Sequence, residues 1–310
     1  MNLCIQSHGI FQHFNGDLDA AYQAIKDAGF SSIDFNIDTA CPTNDLKKHM
    51  NEGRTIYEKE LPEILEYWKP HIDAARKAGL KFYQAHAPFT CYDRDNPAFA
   101  DYCTELTKKC VELCGAVDCH RLVVHGVGNY RDDPEHDQAF MDALNWKRYT
   151  ELTEVAKKND VIICLENLFT VYDRSMVTGH CSNWYEANDI IDRLNEQAGE
   201  ERFGLCLDTG HLNLLGITPY EYVKHLGHRI KAVHMHDNDG KFDLHLAPYT
   251  GTFDWDGFLK GMKEIGYRDD IDFETFRQCT PKRYLTKRSA LAYLNCIAEI
   301  GRDFIDRIEN

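Results

Sequence analysis

The chain has 310 residues, of which 43% are hydrophobic and 27% charged, a composition typical of a globular protein with a sizeable core. Its formal net charge is −15, from 35 basic and 50 acidic residues. This charge disfavours nucleic acid as a partner, because basic side chains that neutralise phosphates supply much of that affinity. No apolar run is long enough for a transmembrane helix, so no membrane partner is expected.

Short β-rich segments alternate with helical patterns along the whole chain. Most are nearly continuous apolar runs, as expected of parallel strands buried on both faces. In chain order the predicted strands are Leu3–Ser7, Ser32–Asn36, Leu80–Ala85, Arg121–His125, Val161–Glu166, Phe203–Asp208, Ile230–His236 and Asp270–Glu274.

Amphipathic helices are predicted between these strands, and several stop at a glycine, which is a common helix C-terminal residue. The clearest are Asp17–Ala28, Leu61–Ala78, Ala98–Cys114 and Phe258–Ile265, followed by Gly29, Gly79, Gly115 and Gly266. Repeated strand–helix alternation favours a closed (β/α)8 TIM barrel over an open sheet. Because no Pro/Gly/Ser-rich linker divides the chain, we expect a single domain over residues 1–310.

Two connections are longer than the others, at about 37–60 and 169–183. Long loops that follow strands in a compact domain are usually functional, so both are predicted to act as lids. For the first, an inserted surface helix is an equal alternative.

Twelve cysteines are scattered through the chain, and some, such as Cys164 and Cys206, lie within apolar runs. There is no Cys-x-x-Cys pair that would indicate a zinc knuckle or a redox motif. The N-terminus has neither the basic nor the apolar segment of a signal peptide. We therefore expect packed thiols and a cytoplasmic location.

The carboxyl ends of six predicted strands carry ionisable residues. Each segment is apolar until its last positions, and a barrel brings these ends together around one axis, where its active site lies. These residues are His86, His125, Glu166, Asp208, His211, His234, His236, Asp237 and Glu274.

Among these strand-end residues, the carboxylates Glu166, Asp208 and Glu274 would repel one another if they converged without a cation. No Lys or Arg stands at the same strand ends, so a bound divalent ion is predicted. The mostly oxygen-bearing ligands favour Mn²⁺ or Mg²⁺ and tolerate Co²⁺ or Zn²⁺.

The motifs AHAP, VVHG, LEN, LDTGH, HMHDNDGKFDLHL and FET occur in this order along the chain. In this set the sequence resembles the sugar phosphate isomerase/epimerase family of the xylose isomerase-like TIM barrel superfamily. The stretch from His234 to Asp239, with Asp243 to Leu246 and Gly251 to Trp255, is the most specific part.

The resemblance implies a metal ion held by Glu166, Asp208, His234 and Glu274. It also implies that Glu166 and Glu274 act as an acid/base pair and that His211 contacts a substrate oxygen. The chemistry agrees, because isomerising or epimerising a ketose removes a proton next to a carbonyl, and an enediolate needs its charge stabilised.

Metal-dependent apurinic endonucleases belong to the same superfamily and use three metals. Their additional ligands correspond to His86, His125, His211, Asp243 and His245, so His211, Asp243 and His245 are candidate additional ligands here. The net charge and the absence of basic clusters argue against a DNA groove.

In the isomerase interpretation, a carbohydrate contacts His86, His125, His211, His245 and Arg277. An ordinary surface arginine is an equal alternative for Arg277. In the loop after His245, Tyr249 stands where relatives often have glycine, so a backbone-lined phosphate contact is less expected. Aromatic residues in the connecting loops fit sugar stacking or plain packing: Phe89, Tyr92, Phe169, Trp184 and Trp255.

Two other functions share this scaffold. A lyase, such as an inosose or keto-sugar dehydratase, would use the same proton abstraction and expel a leaving group with His86, His125 or His245 as acid. A sugar-binding barrel without catalysis is less favoured, because both acid/base Glu residues are present. The helical stretch from Thr286 either closes the barrel or contacts another copy in a homo-oligomer.

Overall fold

The computed structural model describes residues 1–6, 8–89, 92–93, 95–127, 134–275, 280 and 286–310, with backbone only for 134–137. Two compact units make up the chain. Unit 1 comprises Met1–Asn36, Lys69–Tyr83 and Leu207–Asn310, and unit 2 comprises Ile37–Trp68 and Gln84–Cys206. The single domain over 1–310 stays a prediction.

The eight predicted strands all form, with ends that differ by at most two residues from those expected. They are β1 (Leu3–Gln6), β2 (Ser32–Phe35), β3 (Lys81–His86), β4 (Arg121–Val124), β5 (Ile162–Glu166), β8 (Phe203–Asp208), β9 (Ile230–His234) and β10 (Ile271–Phe273). A hairpin, β6 (Phe169–Tyr172) and β7 (Ser175–Thr178), interrupts the series.

The α-helices alternate with these strands along the chain. They are α1 (His8–Phe11), α2 (Leu18–Ala28), α3 (Thr43–Lys48), α4 (Leu61–Lys77), α5 (Ala98–Ala116), α6 (Pro134–Asn159), α7 (Trp184–Ala198), α8 (Thr209–Leu214), α9 (Pro219–Leu226), α10 (Trp255–Glu264) and α11 (Lys287–Glu309). Single 3₁₀ turns lie at Gln12–Phe14, Ile37–Ala40, Ile56–Glu58 and Gly227–Arg229.

In unit 1, β1 lies between two parallel neighbours, β10 and β2. The end of β9 joins β10, because the Met235 amide donates to the Asp272 carbonyl and the Glu274 amide to the Met235 carbonyl. Helices α2, α9, α10 and α11 pack in this unit. The side chains of β1 and β2 are almost entirely buried, as their apolar runs predict.

In unit 2, the parallel pairs are β3 with β4, β4 with β5, and β5 with the first part of β8. Helix α5 packs on α6, and α6 on α7. Parallel pairing places the carboxyl ends of neighbouring strands at one edge. His86, His125 and Glu166 therefore lie at the same edge of this unit.

Two predicted helix ends are wrong. Helix α10 begins at Trp255 rather than at the predicted Phe258. Helix α5 does not stop at Gly115 but continues to Ala116, with Val117 as its C-cap. Gly115 has a different role, since a Cβ atom there would lie 2.7 Å from Cβ of Asn159. The glycine permits close approach of the α6 C-terminus rather than ending its own helix.

Both long connections have structure of their own, in unit 2. The first contains α3 and two 3₁₀ turns, which agrees with the alternative of an inserted helix. The second forms the antiparallel hairpin of β6 and β7. Their role as lids stays a prediction.

The ten cysteines within the described residues are all free thiols, and nine of these are buried. Burial raises the pKa of Cys4, Cys110 and Cys181, so these thiols stay protonated and behave as small apolar groups. In the part of the chain that the structure describes, no helix has the length and apolar character to cross a membrane.

Candidate functional site

Asp208 occupies the junction between β8 and α8 in unit 1. It is the last residue of the strand and the N-cap of the helix, and its Oδ1 accepts from the His211 amide at 2.7 Å. The strand–Asp–Thr–Gly–His sequence thus places the carboxylate and the His211 ring one turn apart. The His211 Nδ1 atom lies 3.7 Å from Asp208 Oδ1.

Asp243 and His245 form a close pair in the loop after β9. His245 Nε2 lies 2.9 Å from Asp243 Oδ2. Burial by itself would raise the pKa of Asp243, but the hydrogen bond and charge of His245, with other nearby histidines, lower it below its usual range. Burial would lower the pKa of His245, yet Glu274 and Asp243 together raise it.

Glu274, directly after β10, lies within reach of two of these histidines. Its Oε2 atom lies 3.4 Å from His245 Nδ1 and 3.7 Å from His234 Nδ1, while Oε1 accepts from Gln6 at 3.1 Å. All three residues, Glu274, His234 and His245, are buried. Asp208 and His234 also have ligand atoms within 4.8 Å of each other. Unit 1 therefore brings together three of the four predicted metal ligands.

A second pair of carboxylates lies on the other side of the His234 ring. Its Nε2 atom is 3.3 Å from Oδ2 of Asp34, and Asp272 belongs to the same buried group. Burial, followed by the charge of Asp34, raises the pKa of Asp272 well above its usual range. The sequence analysis missed both residues, because they lie inside strands rather than at strand ends.

His236 is at the centre of the unit 1 cluster, and sequence reasoning assigned it no role. Its Nε2 atom lies 3.0 Å from Asp208 Oδ2, 3.9 Å from Asp243 Oδ1 and 4.0 Å from Glu274 Oε2. Its ring stacks on that of His245, with centroids 4.1 Å apart. The only indication in the sequence was its place in the strand-end run.

The donor set of unit 1 fits a divalent cation. Among the described residues, every ion pair of Asp243 and Glu274 is with a histidine. The buried Oδ1 atom of Asp243 accepts no hydrogen bond within that part of the chain. Clustered carboxylates whose only ionic partners are imidazoles are stabilised when a metal ion balances their charge.

Unit 2 contains a group formed by His86, His125 and Glu166. The Glu166 Oε2 atom lies 2.6 Å from His125 Nε2 and 3.7 Å from His86 Nε2. His86 Nδ1 is 2.7 Å from the Ala87 carbonyl, which orients that ring. These three residues offer ligand atoms within 4.8 Å of one another, so this group could also hold a cation.

Side chains of helix α6 form hydrogen bonds with the backbone directly after β4, which includes His125. Arg148, almost fully buried, donates from Nη1 to the His125 carbonyl and from Nη2 to Thr107 Oγ1 at 3.3 Å. The Asn145 side chain both accepts from the Val127 amide and donates to its carbonyl. Burial lowers the pKa of Arg148. These helix residues are a second feature that the sequence analysis missed.

Three further predicted residues have different outcomes. Phe89 is 45% exposed, and its ring centroid lies 5.0 Å from that of His86 and 4.7 Å from that of His125, which suits a substrate wall. Trp255 is buried and donates to Asp237, so it is a packing residue. Arg277 lies outside the described residues.

The family model described as "Xylose isomerase-like TIM barrel" matches residues 22–295. This match confirms the fold class and the membership of the xylose isomerase-like TIM barrel superfamily that were predicted from the sequence.

Curated relatives at low identity include proteins of several functions. An uncharacterized protein of Sinorhizobium fredii is 26% identical over 171 residues, 55% of this chain and 52% of that protein. The chain thus spans about half the length of this relative. An inosose isomerase of Bacillus velezensis is 23% identical over 72% of this chain and 74% of its own length. A probable endonuclease 4 of Mycobacterium tuberculosis is 27% identical over 73% and 87%.

Solved structures share the fold over nearly the full chain. A D-tagatose 3-epimerase-like protein has a TM-score of 0.67 at 19% identity, covering 99% of this chain and 98% of that one. The IOLI protein with a bound zinc atom has 0.65 at 20%, covering 99% and 98%. D-psicose 3-epimerase in the presence of D-fructose has 0.68 at 12%, covering 98% and 99%. At these identities the likeness shows the fold alone.

Proposed function

Since the chain belongs to the xylose isomerase-like TIM barrel family, we propose that it is a divalent-metal-dependent isomerase or epimerase of a sugar or sugar phosphate. The observation that carries the proposal is the buried cluster of Asp208, His234 and Glu274 in unit 1, in which ligand atoms lie close together. Buried carboxylates and imidazoles are the donors that such a metal requires.

The proposed ligand set is Asp208, His234 and Glu274, and the family resemblance adds Glu166. The oxygen-rich set favours Mn²⁺ or Mg²⁺ and tolerates Co²⁺ or Zn²⁺. A bound divalent ion would stabilise negative charge that develops on substrate oxygens. His211, Asp243 and His245 remain candidates for an additional ion.

Glu166 and Glu274 are the proposed acid/base pair. Gln6 donates to Glu274 Oε1 while Oε2 faces histidines, so one carboxylate oxygen is fixed and the other is directed into the cluster. A carboxylate held in this way can take a proton from carbon next to a carbonyl group. His211, with its backbone fixed by Asp208, is suited to contact a substrate oxygen.

The proposed substrate is a ketose, and Phe89 is suited to contact its apolar face. The relevant candidates are the sugars named for proteins of the same fold, D-tagatose, D-psicose and D-fructose, each free and phosphorylated. Arg277 is proposed to hold an anionic or hydroxyl group. We propose that the reaction belongs to carbohydrate metabolism and takes place in the cytoplasm. A homo-oligomer is compatible with this proposal.

The first test is metal analysis of purified wild type and Glu166→Gln, followed by exchange of carbon-bound hydrogen with D₂O across the ketose panel. We expect about one equivalent of metal in the wild type and metal-dependent exchange of one ketose. Both should fall in Glu166→Gln and Glu274→Gln. Glu154→Gln is the matched control, since the side chain of Glu154 is 87% exposed.

The proposal fails if the wild type takes up no divalent ion under any loading condition. It also fails if a loaded protein exchanges no proton of any ketose in the panel.

A keto-sugar or inosose dehydratase is the second candidate, favoured by the His86–His125 pair beside Glu166 in unit 2. The two Nε2 atoms are 3.1 Å apart, so one of them is placed to supply a proton to a leaving group. Incubation with a keto-inositol and a 3-keto-sugar separates the alternatives. Loss of water without ketose exchange would favour the lyase.

Apurinic endonuclease activity is a weaker candidate, favoured by the similarity to endonuclease 4 and by the two donor clusters. With a net charge of −15, we expect no cleavage of a duplex that carries one abasic site. Cleavage by protein loaded with several zinc equivalents, absent in Asp208→Asn, would contradict this expectation.

A further inference from the structure

The connection between the β6–β7 hairpin and α7 brings three potential metal ligands together in unit 2. His180, Cys181 and Glu186 offer a nitrogen, a sulfur and a carboxylate oxygen that lie within 4.8 Å of one another. His180 and Cys181 are buried, while the Glu186 side chain is 32% exposed. The group shares no residue with the strand-end site proposed above, which consists of Glu166, Asp208, His234 and Glu274.

Local backbone structure directs these three side chains to one place. Cys181 has a φ of 57°, in the left-handed region that residues other than glycine rarely adopt. Side chains of adjacent residues point to opposite sides of an extended chain, whereas this bend lets His180 and Cys181 approach the same carboxylate. Glu186 belongs to the first turn of α7, and its Oε1 atom accepts from the Cys181 amide at 3.2 Å. The same oxygen lies 3.0 Å from His180 Nδ1.

The His180 ring is held in position by its neighbours. A Cβ atom at Gly126 would lie 2.3 Å from His180 Cδ2, so the glycine leaves room for the ring. The Tyr149 ring of α6 stacks on the imidazole, with centroids 5.8 Å apart and an interplanar angle of 19°. The His180 carbonyl accepts from the Leu168 amide at 2.8 Å. An imidazole fixed in this way loses little freedom when it binds a ligand.

The charges that face Cys181 are negative. Burial raises the pKa of the Cys181 thiol well above its usual range, and the charges of Glu186 and then Asp142 add to the rise. Among the residues that the structure describes, Glu186 forms its ion pair with His180 and not with a lysine or arginine. A divalent cation bound to the carboxylate and the thiolate would make the group neutral, with the thiol proton released to solvent.

We propose that His180, Cys181 and Glu186 form a second metal site, which binds Zn²⁺. Thiolate, imidazole and carboxylate are all zinc ligands, and a thiolate favours zinc over the Mn²⁺ or Mg²⁺ expected at the strand-end site. Three protein ligands leave the fourth tetrahedral position to water. The ion would tie the end of the hairpin to the first turn of α7. The site does not depend on the proposed function, because none of its ligands takes part in that reaction.

The test is Co²⁺ titration of the whole chain, followed by absorption spectroscopy. Co²⁺ takes the place of Zn²⁺, and a cobalt–thiolate bond gives an intense charge-transfer band in the near ultraviolet that oxygen and nitrogen ligands do not give. Since the strand-end site contains no thiol, the band does not arise there. We expect the band in the wild type, its loss when Zn²⁺ is added, and its absence in Cys181→Ser. Cys296→Ser is the matched control and should keep the band, because Cys296 is an exposed free thiol.

Two further measurements keep the inference testable if Cys181→Ser fails to fold. Glu186→Gln changes a partly exposed side chain and should shift the Co²⁺ titration to higher concentrations. X-ray absorption of the zinc-loaded wild type should show a sulfur neighbour at about 2.3 Å from the metal. This zinc adds to the equivalent expected at the strand-end site and should remain in Glu166→Gln.

Three results would overturn the inference. They are a wild type without the band at saturating Co²⁺, a band that persists in Cys181→Ser, and equal titrations of the wild type and Glu186→Gln. Failure of the proposed function looks different, because a protein that exchanges no proton of any ketose would still show the cobalt–thiolate band.

Discussion

Several buried polar residues of this protein each form hydrogen bonds with more than one neighbouring group. Asp208 ends a strand, caps a helix and accepts from His236, while Arg148 donates both to a backbone carbonyl and to a threonine hydroxyl. Replacing such a residue leaves several buried groups unsatisfied at once, which costs more than the loss of one hydrogen bond. The first prediction concerns a side chain of this kind, and the second concerns the partly buried His71.

We expect Arg148→Lys to destabilise the fold by about 1–3 kcal/mol, because a lysine keeps the buried charge but cannot reproduce the two-pronged contact. Urea denaturation measures the change. Arg193→Lys is the control, since Arg193 is 56% exposed and pairs with Asp189 one helical turn away. A variant as stable as the control would show that Arg148 is replaceable by any cation.

We expect His71 to make the fold less stable at acid pH. Burial lowers its pKa from the usual 6.5, and its Nδ1 lies 3.0 Å from the Tyr22 hydroxyl. The unfolded chain therefore binds this proton more readily, so stability is fully present above pH 6.5 and declines as pH falls below it. Thermal melts between pH 5 and 7.5 should show a weaker pH dependence for His71→Gln than for wild type. Equal slopes would contradict this assignment.

At the scale of elements, helix ends depend on local backbone geometry. Helix α2 starts at an Asp17 cap that accepts from the Ala20 amide and ends at Gly29, whose φ is 105°. Both ends were predicted from sequence, because caps act over a few residues. The prediction that a helix ends at Gly115 was wrong, because the contact that requires this glycine is with Asn159, which is distant in sequence.

Gly29→Ala should lower the free energy of unfolding by about 1 kcal/mol or somewhat more, because a residue with a Cβ atom is strained at this positive φ. Gly29→Asn is the matched variant and should cost less, because asparagine tolerates the left-handed region. Chemical denaturation of the three proteins tests the order. If alanine cost less stability than asparagine, the left-handed backbone conformation would not be the cause of the cost at Gly29.

At the scale of the whole molecule, the largest fully buried side chains among the described residues are aromatic, apart from Arg148. In unit 1, Phe304 of α11 is fully buried, with ring centroids 5.2 Å from Trp255 and 6.3 Å from Phe273. The C-terminal helix is thus part of this unit's core, while its contact with another copy stays a prediction.

Phe304→Ala is expected to cost about 3–5 kcal/mol, the usual effect of emptying a packed aromatic site. Phe242→Ala is the control, because Phe242 is 63% exposed, and should change stability by less than about 0.5 kcal/mol. Guanidinium denaturation gives both values. A small effect at Phe304 would mean that α11 contributes little to the stability of the fold.

The sequence by itself determined the order of strands and helices and the residue types at the strand ends. Hydrophobic periodicity and caps are local properties, so β8 was predicted to the residue and the other seven predicted strands to within one or two residues at each end. The strand-end positions of Asp208, His234 and Glu274 followed from the same pattern, because parallel strands end at one edge, while their role as ligands was implied by the family resemblance.

Only the tertiary structure decided which atoms meet. The pairing of His236 with Asp208 joins residues 28 positions apart, and that of Arg148 with His125 joins residues 23 apart. No local pattern distinguishes His236 from a neighbour that points elsewhere, or a buried arginine on a helix from an exposed one. The role of such residues depends on side-chain packing between elements, which the periodicity of each element does not contain.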